Sequence, residues 1–153
     1  PLLEHLPEWF HYVEPCAGDG RLIQHLTELT NGVCKMATDI EPKGSSILKE
    51  DARTIKWEVF NKTTYCITNP PWDREILHPI IENFIASGKS WLLFDADWMH
   101  TKQATPFLRY CSRIVSVGRV KWIEDSTSTG KDNCAWYLFD QKNKTPTEFY
   151  GRT

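Results

Sequence analysis

Asn69-Pro70-Pro71-Trp72, set directly behind the apolar run Tyr65-Cys66-Ile67-Thr68, joins an amide, two rigid rings and an indole in four consecutive positions. An amide oxygen accepts N–H donors and an indole offers a flat stacking face, so the pair suits a planar NH2 group. The two prolines fix φ and push Asn69 away from the helical region, which makes the corner stiff before any ligand arrives. Pro70 and Pro71 also lack N–H groups, leaving carbonyl lone pairs that a ligand can reach. Taken alone, the Pro-Pro pair reads more readily as a strand terminator followed by a buried Trp. The groups placed opposite it decide between the two.

The first candidate is the turn Glu14-Pro15-Cys16-Ala17-Gly18-Asp19-Gly20. A full dinucleotide fingerprint needs G-x-G-x-x-G with a helix N-terminus aimed at pyrophosphate, and only Gly18-x-Gly20 is present. Glu14 and Asp19 flank it, and two carboxylates repel phosphate. A cationic ligand without phosphates, such as the sulfonium S-adenosyl-L-methionine, suits the turn better. Asp39, about twenty residues on at a strand end, is placed to accept from the two hydroxyls of a ribose, with Ile40 flanking an adenine. In Glu50-Asp51-Ala52-Arg53, the Asp51 carboxylate can accept from the adenine amino group and Ala52 can offer its backbone N–H.

These residues need elements to hold them. Phe10 to Glu14 reads as a strand entering the glycine turn, and Arg21 to Leu29 follows with helical spacing at Leu22, Ile23, Leu26 and Leu29. Lys35 to Ile40 reads as the second strand, Trp57 to Phe60 as a weak element, and Tyr65 to Thr68 as the third strand. Asp73 caps a helix with Ile76, Leu77, Ile80, Ile81, Phe84 and Ile85 on one face, and Gly88 ends it. Ser90 to Phe94 is almost wholly apolar and so fits a strand buried on both faces. Thr101 to Tyr110 reads as a short helix, Arg113 to Ile123 as a long strand, and Cys134 to Phe139 as its antiparallel partner across a polar loop at Ser126 to Asp132. Alternating strands and helices with a closing hairpin predict a doubly wound α/β sheet, mostly parallel.

Composition bounds the partners. With 153 residues, 41% of them hydrophobic, the chain is expected to form one compact domain. Its net charge of -2 gives no global signature of duplex nucleic-acid binding, so any such contact depends on a local patch. The five cysteines (Cys16, Cys34, Cys66, Cys111, Cys134) lack CxxC spacing, which favours free thiols in a reducing, cytoplasmic setting over a zinc site. No metal, no signal peptide and no membrane span are expected.

Glu14 to Gly20, Thr38-Asp39-Ile40, Asp51-Ala52 and Asn69 to Trp72, in that order, resemble the class I S-adenosylmethionine-dependent methyltransferases. The Asn-Pro-Pro-aromatic signature is similar to that of amino-methyltransferases acting on adenine N6 in DNA or RNA, or on protein glutamine. In them the aromatic is usually Tyr or Phe, and Trp72 is an accepted but less common variant. The resemblance implies a seven-stranded Rossmann-like sheet with an antiparallel C-terminal hairpin, and residues 1–153 as a single catalytic domain without a separate target-recognition domain. It implies S-adenosyl-L-methionine held by Glu14, Pro15, Cys16, Ala17, Gly18, Asp19, Gly20, Asp39, Ile40, Asp51, Ala52 and Asn69. Asn69, Pro70, Pro71 and Trp72 are then the catalytic corner.

For substrate contacts, Lys121, Trp122 and Lys131 are the candidates: Trp122 as a second wall opposite Trp72, the lysines toward phosphate. The acceptor implied is nucleic acid, DNA or RNA, with an accessible or single-stranded site favoured because the chain has no room for a duplex-reading domain. A protein-glutamine methyltransferase is the second reading. A non-catalytic binding subunit of the same fold that lends shape to a partner is a third, and a nucleotide-dependent oxidoreductase a fourth; a partner subunit or a homo-oligomer is compatible with each.

Overall fold

The computed structural model describes residues 1–57, 62–120 and 132–152. Among these, eight strands form one sheet in the order β3-β2-β1-β4-β5-β7-β6-β8. The strands are β1 (Trp9–Glu14), β2 (Asn31–Asp39), β3 (Leu48–Lys49), β4 (Thr64–Thr68), β5 (Lys89–Asp95), β6 (Cys111–Arg119), β7 (Asn133–Phe139) and β8 (Glu148–Tyr150). β7 runs antiparallel between β5 and β6, while the remaining pairs are parallel. The doubly wound, mostly parallel expectation therefore holds, with one correction: the sheet has eight strands, because β8 adds in parallel to β6.

Other boundaries also move. The two-residue β3 makes Tyr65 to Thr68 part of the fourth strand instead of the third, and β2 begins at Asn31, ahead of the Lys35 expected. Thr101 to Tyr110 divides into a 3-10 turn, Lys102–Ala104, and the short helix α3, Thr105–Leu108, because Pro106 sits at a helix start and the following chain turns into β6. Residues 58–60 of the expected weak element, 121–123 of the long strand and 126–131 of the polar loop lie outside the described residues. Trp57 itself packs edge-on against Phe84 at 5.1 Å.

Helix α1 (Arg21–Leu29) and helix α2 (Arg74–Ser87) form where capping chemistry starts them. Gly20 at φ +86° is the N-cap of α1, a left-handed conformation that a side chain would strain. The Asp73 carboxylate accepts from the Glu75 N–H at 2.9 Å and starts α2. Strand alternation then divides the core between the two sheet faces. Leu92, Phe94, Tyr137 and Phe139 meet Leu77, Ile80, Ile81 and Phe84 of α2 on one face. Trp91 and Trp136, one position out of phase, meet Leu26 of α1 and Leu2 on the other. Each such large side chain contributes about 1.5–3 kcal/mol by burial, so the central strands are the rigid part of the molecule.

Candidate active site

The strand order reverses between β1 and β4, so their C-terminal ends diverge into separate loops and leave a crevice between them. Glu14 ends β1 and Thr68 ends β4, and the Thr68 hydroxyl donates to Glu14 Oε1 across that boundary. The Cys16 N–H donates to the same oxygen at 3.3 Å. Oε2 of Glu14 is buried and has no partner among the described residues. Burial pushes the Glu14 carboxyl up to about 8, with the nearby Asp39 charge adding to the rise and the two hydrogen bonds opposing it.

That shift carries a stability prediction. A carboxyl raised in the fold keeps its proton where the unfolded chain has lost it, so stability falls as pH rises from about 4.5 through 8. Glu14→Gln cannot ionise. The stability difference between variant and parent in urea is expected to move in the variant's favour by on the order of a few kcal/mol between about pH 5 and pH 9. A difference that does not change with pH would overturn the assignment.

The glycine turn is held to β2. The Gly18 N–H donates to Asp39 Oδ2 at 2.8 Å, the Ala17 N–H to the Thr38 carbonyl at 2.9 Å, and the Glu41 N–H to Asp39 Oδ1 at 2.8 Å. Asp39 thus fixes the turn and retains lone pairs toward the cavity beside it, since an ionised carboxylate has about four acceptor positions. Gly18 sits at φ +55° with open space where a Cβ would lie. Beyond β3, Asn83 of α2 anchors the next loop by donating to the Ala52 and Ile55 carbonyls at 3.0 and 2.8 Å.

Two cavities meet at this crevice. One, of about 430 Å³, is lined by Glu14, Cys16, Ala17, Gly18, Asp19 and Asn69, together with Leu22, His25, Leu93 and Trp136. The other, of about 350 Å³, is lined by Pro15, Cys16, Asp39, Ile40, Asp51, Ala52, Asn69, Pro70 and Pro71, with Arg53, Ile76 and Ile80. Cys16 and Asn69 line both. Burial and the neighbouring Glu14 push the Cys16 thiol well up, so it faces the cavities uncharged.

Some expected groups carry partners that the sequence did not suggest. The Arg53 guanidinium forks onto Asp51, with Nη2 2.6 Å from Oδ2, and holds that carboxyl below the usual carboxylate range. An adenine amine would have to share those oxygens. Asp19 pairs with Arg21 at 3.0 Å, and Glu14 is protonated near neutrality, so the expected repulsion of phosphate by two carboxylates is weaker than the residue types imply. The Trp72 indole N–H donates to Asn69 Oδ1 at 3.3 Å. Lys121, Trp122 and Lys131 lie outside the described residues; Val120, next to them, lines the cavity beside Glu14. Thr68 and Arg53 were missed as site residues. A hydroxyl ending an otherwise apolar strand beside Asn69 was the available signal for Thr68.

No protein-family model and no curated protein sequence matches the chain. Solved structures do. A Listeria monocytogenes protein assigned to the class I S-adenosylmethionine-dependent methyltransferases superposes with a TM-score of 0.63 over 99% of this chain at 10% identity. A Pyrococcus horikoshii protein assigned as an RNA methyltransferase gives 0.60 over 90% at 12% identity, and a dimethyladenosine transferase from Plasmodium falciparum 0.52 over 88% at 18% identity. This chain spans 62%, 76% and 56% of those three proteins, respectively. It has the class I methyltransferase fold, with one added edge strand.

Proposed function

We propose that the chain is an S-adenosylmethionine-dependent methyltransferase whose acceptor is a planar NH2 group, adenine N6 of DNA or RNA first among them. The observation that carries this reading is Asn69, a wall of both cavities at the sheet's switch point. The residues fit the methyl donor. Asp39, Ile40, Asp51 and Ala52 suit its adenosine half, and the buried Oε2 of Glu14, without a partner among the described residues, suits the ammonium of its amino-acid half once that cation draws the carboxyl into its ionised form. Bound there, S-adenosylmethionine supplies an electrophilic methyl group.

The protein's own part is to prepare the acceptor. An adenine or amide NH2 is a poor nucleophile because its lone pair is delocalised. Asn69 Oδ1 and the Pro70 carbonyl accept its two N–H groups, which favours a pyramidal nitrogen and stabilises the positive charge that develops on it. Trp72 supplies the stacking face, about 1–3 kcal/mol per base, and holds the ring in place. The resemblance of Asn69 to Trp72 to the amino-methyltransferases, and the dimethyladenosine transferase among the structural neighbours, support adenine as the ring.

Radiolabelled methyl transfer to DNA, RNA and protein fractions, followed by nucleoside and amino-acid digestion, tests the proposal. The expected product is N6-methyladenine. Label confined to glutamine would replace the acceptor, and the absence of transfer to every fraction would remove the enzymatic reading.

A further inference from the structure

The hydrogen bond from the Trp72 indole N–H to Asn69 Oδ1, at 3.3 Å, engages the atom to which the proposed function assigns the acceptor amine. An indole is a donor only, so it can pair with the carbonyl end of the amide and not with its NH2, and this fixes which end of Asn69 it meets. The geometry sets a conflict. An indole N–H lies in the plane of its rings, and an atom that accepts it sits close to that plane. A base stacked on Trp72 lies a full ring thickness away from that plane, and its in-plane NH2 reaches toward an acceptor at its own level. One position of the indole therefore cannot both donate to Asn69 and stack on a base that donates to Asn69.

We propose that Trp72 gates the acceptor corner. In the ligand-free site its N–H caps Asn69 Oδ1, and acceptor entry exchanges that donor for the amine as the indole turns from edge to face. The proposal rests on the reading of Asn69 and Trp72 as the acceptor site. Two features make the exchange workable. Trp72 follows the rigid Pro70-Pro71 pair, which holds Asn69 in place while the indole moves, and it is only partly buried against the α2 core. The capped state lowers apparent acceptor affinity by the fraction of molecules in which the corner is open. It also shields the stiff amide from other donors until a flat ring arrives to replace the indole, a function that Phe cannot perform.

The test replaces Trp72 with 3-benzothienylalanine, which keeps the shape and stacking face of the indole and exchanges the N–H for sulfur. With an adenine-bearing oligonucleotide as acceptor, KM is expected to fall about three- to tenfold, the range corresponding to one released neutral hydrogen bond. A purely structural or stacking role would leave KM unchanged or raise it, and either result overturns the gate. In the parent protein, the Trp72 indole N–H resonance, identified by its loss in Trp72→Phe, is expected to move when the acceptor saturates the site. A resonance unmoved at saturation also overturns it. Methyl transfer by the parent in the same assay separates the two failures: transfer without the KM effect removes the gate alone, and no transfer to any acceptor removes the proposed function together with it.

Discussion

Asn69→Ala is expected to lower kcat for methyl transfer about 10²–10³-fold, the size of loss found when one preorganised stabilising group is removed from a site of developing charge. Affinity for S-adenosylmethionine is expected to stay within a few-fold, because Asp39 and the glycine turn retain their own hydrogen bonds. Single-turnover kinetics with saturating donor, paired with calorimetry of donor binding, separates the two effects. The structural risk is small: Asn69 lies outside the regular strand, and its amide oxygen accepts from the half-buried Trp72 three residues on. Retained kcat would show that the amide does not act on the reacting nitrogen.

Asp39→Ala is expected to have the opposite profile. Two charge-assisted hydrogen bonds to a ribose, at about 1.5–3 kcal/mol each, correspond to a loss of about 10²–10⁴ in donor affinity. The variant also releases the Gly18 and Glu41 N–H groups that the carboxylate accepts at 2.8 Å, so the turn loses the tie that shapes it. Asp39→Asn keeps one acceptor oxygen and is expected to fall between parent and Ala in calorimetric affinity. Urea denaturation of both variants shows whether the fold is intact. Unchanged affinity in Asp39→Ala would separate this carboxylate from the donor altogether.

What could be read from residues alone follows the strength of the local signal. Helix α1 ends on the residues expected, because apolar spacing and the glycine N-cap agree, and α2 starts and stops at its Asp73 and Gly88 caps. The N-terminal half of β2 was hidden by Asn31-Gly32, a pair that reads as a turn. Here Gly32 is in a strand because the ring of Phe10, its partner on the neighbouring strand β1, occupies the space its Cβ would need, so the glycine marks a close approach within the sheet. Strand β3 is two residues long and has no period to detect. The members of the site were visible as types, yet their pairings were not. Asp51 with Arg53, and Trp72 with Asn69, are contacts between near neighbours whose side-chain directions no spacing rule supplies. The buried state of Glu14 depends on Thr68 from a strand 54 residues away.

The added strand β8 bears on how these molecules behave toward one another. Without it, the nine-residue β6 would form the margin of the sheet and offer a long row of unsatisfied backbone groups to a neighbouring molecule. β8 covers Arg113 to Val115 with three residues, and Arg113 pairs with Glu148 at 3.4 Å across that seam. The new margin is short and begins on a charge, a poor template for further strands. Its contribution is to colloidal behaviour: at Arg113 to Val115 a neighbouring copy meets the short β8 in place of the open backbone of β6, while the rest of β6 is not covered by β8.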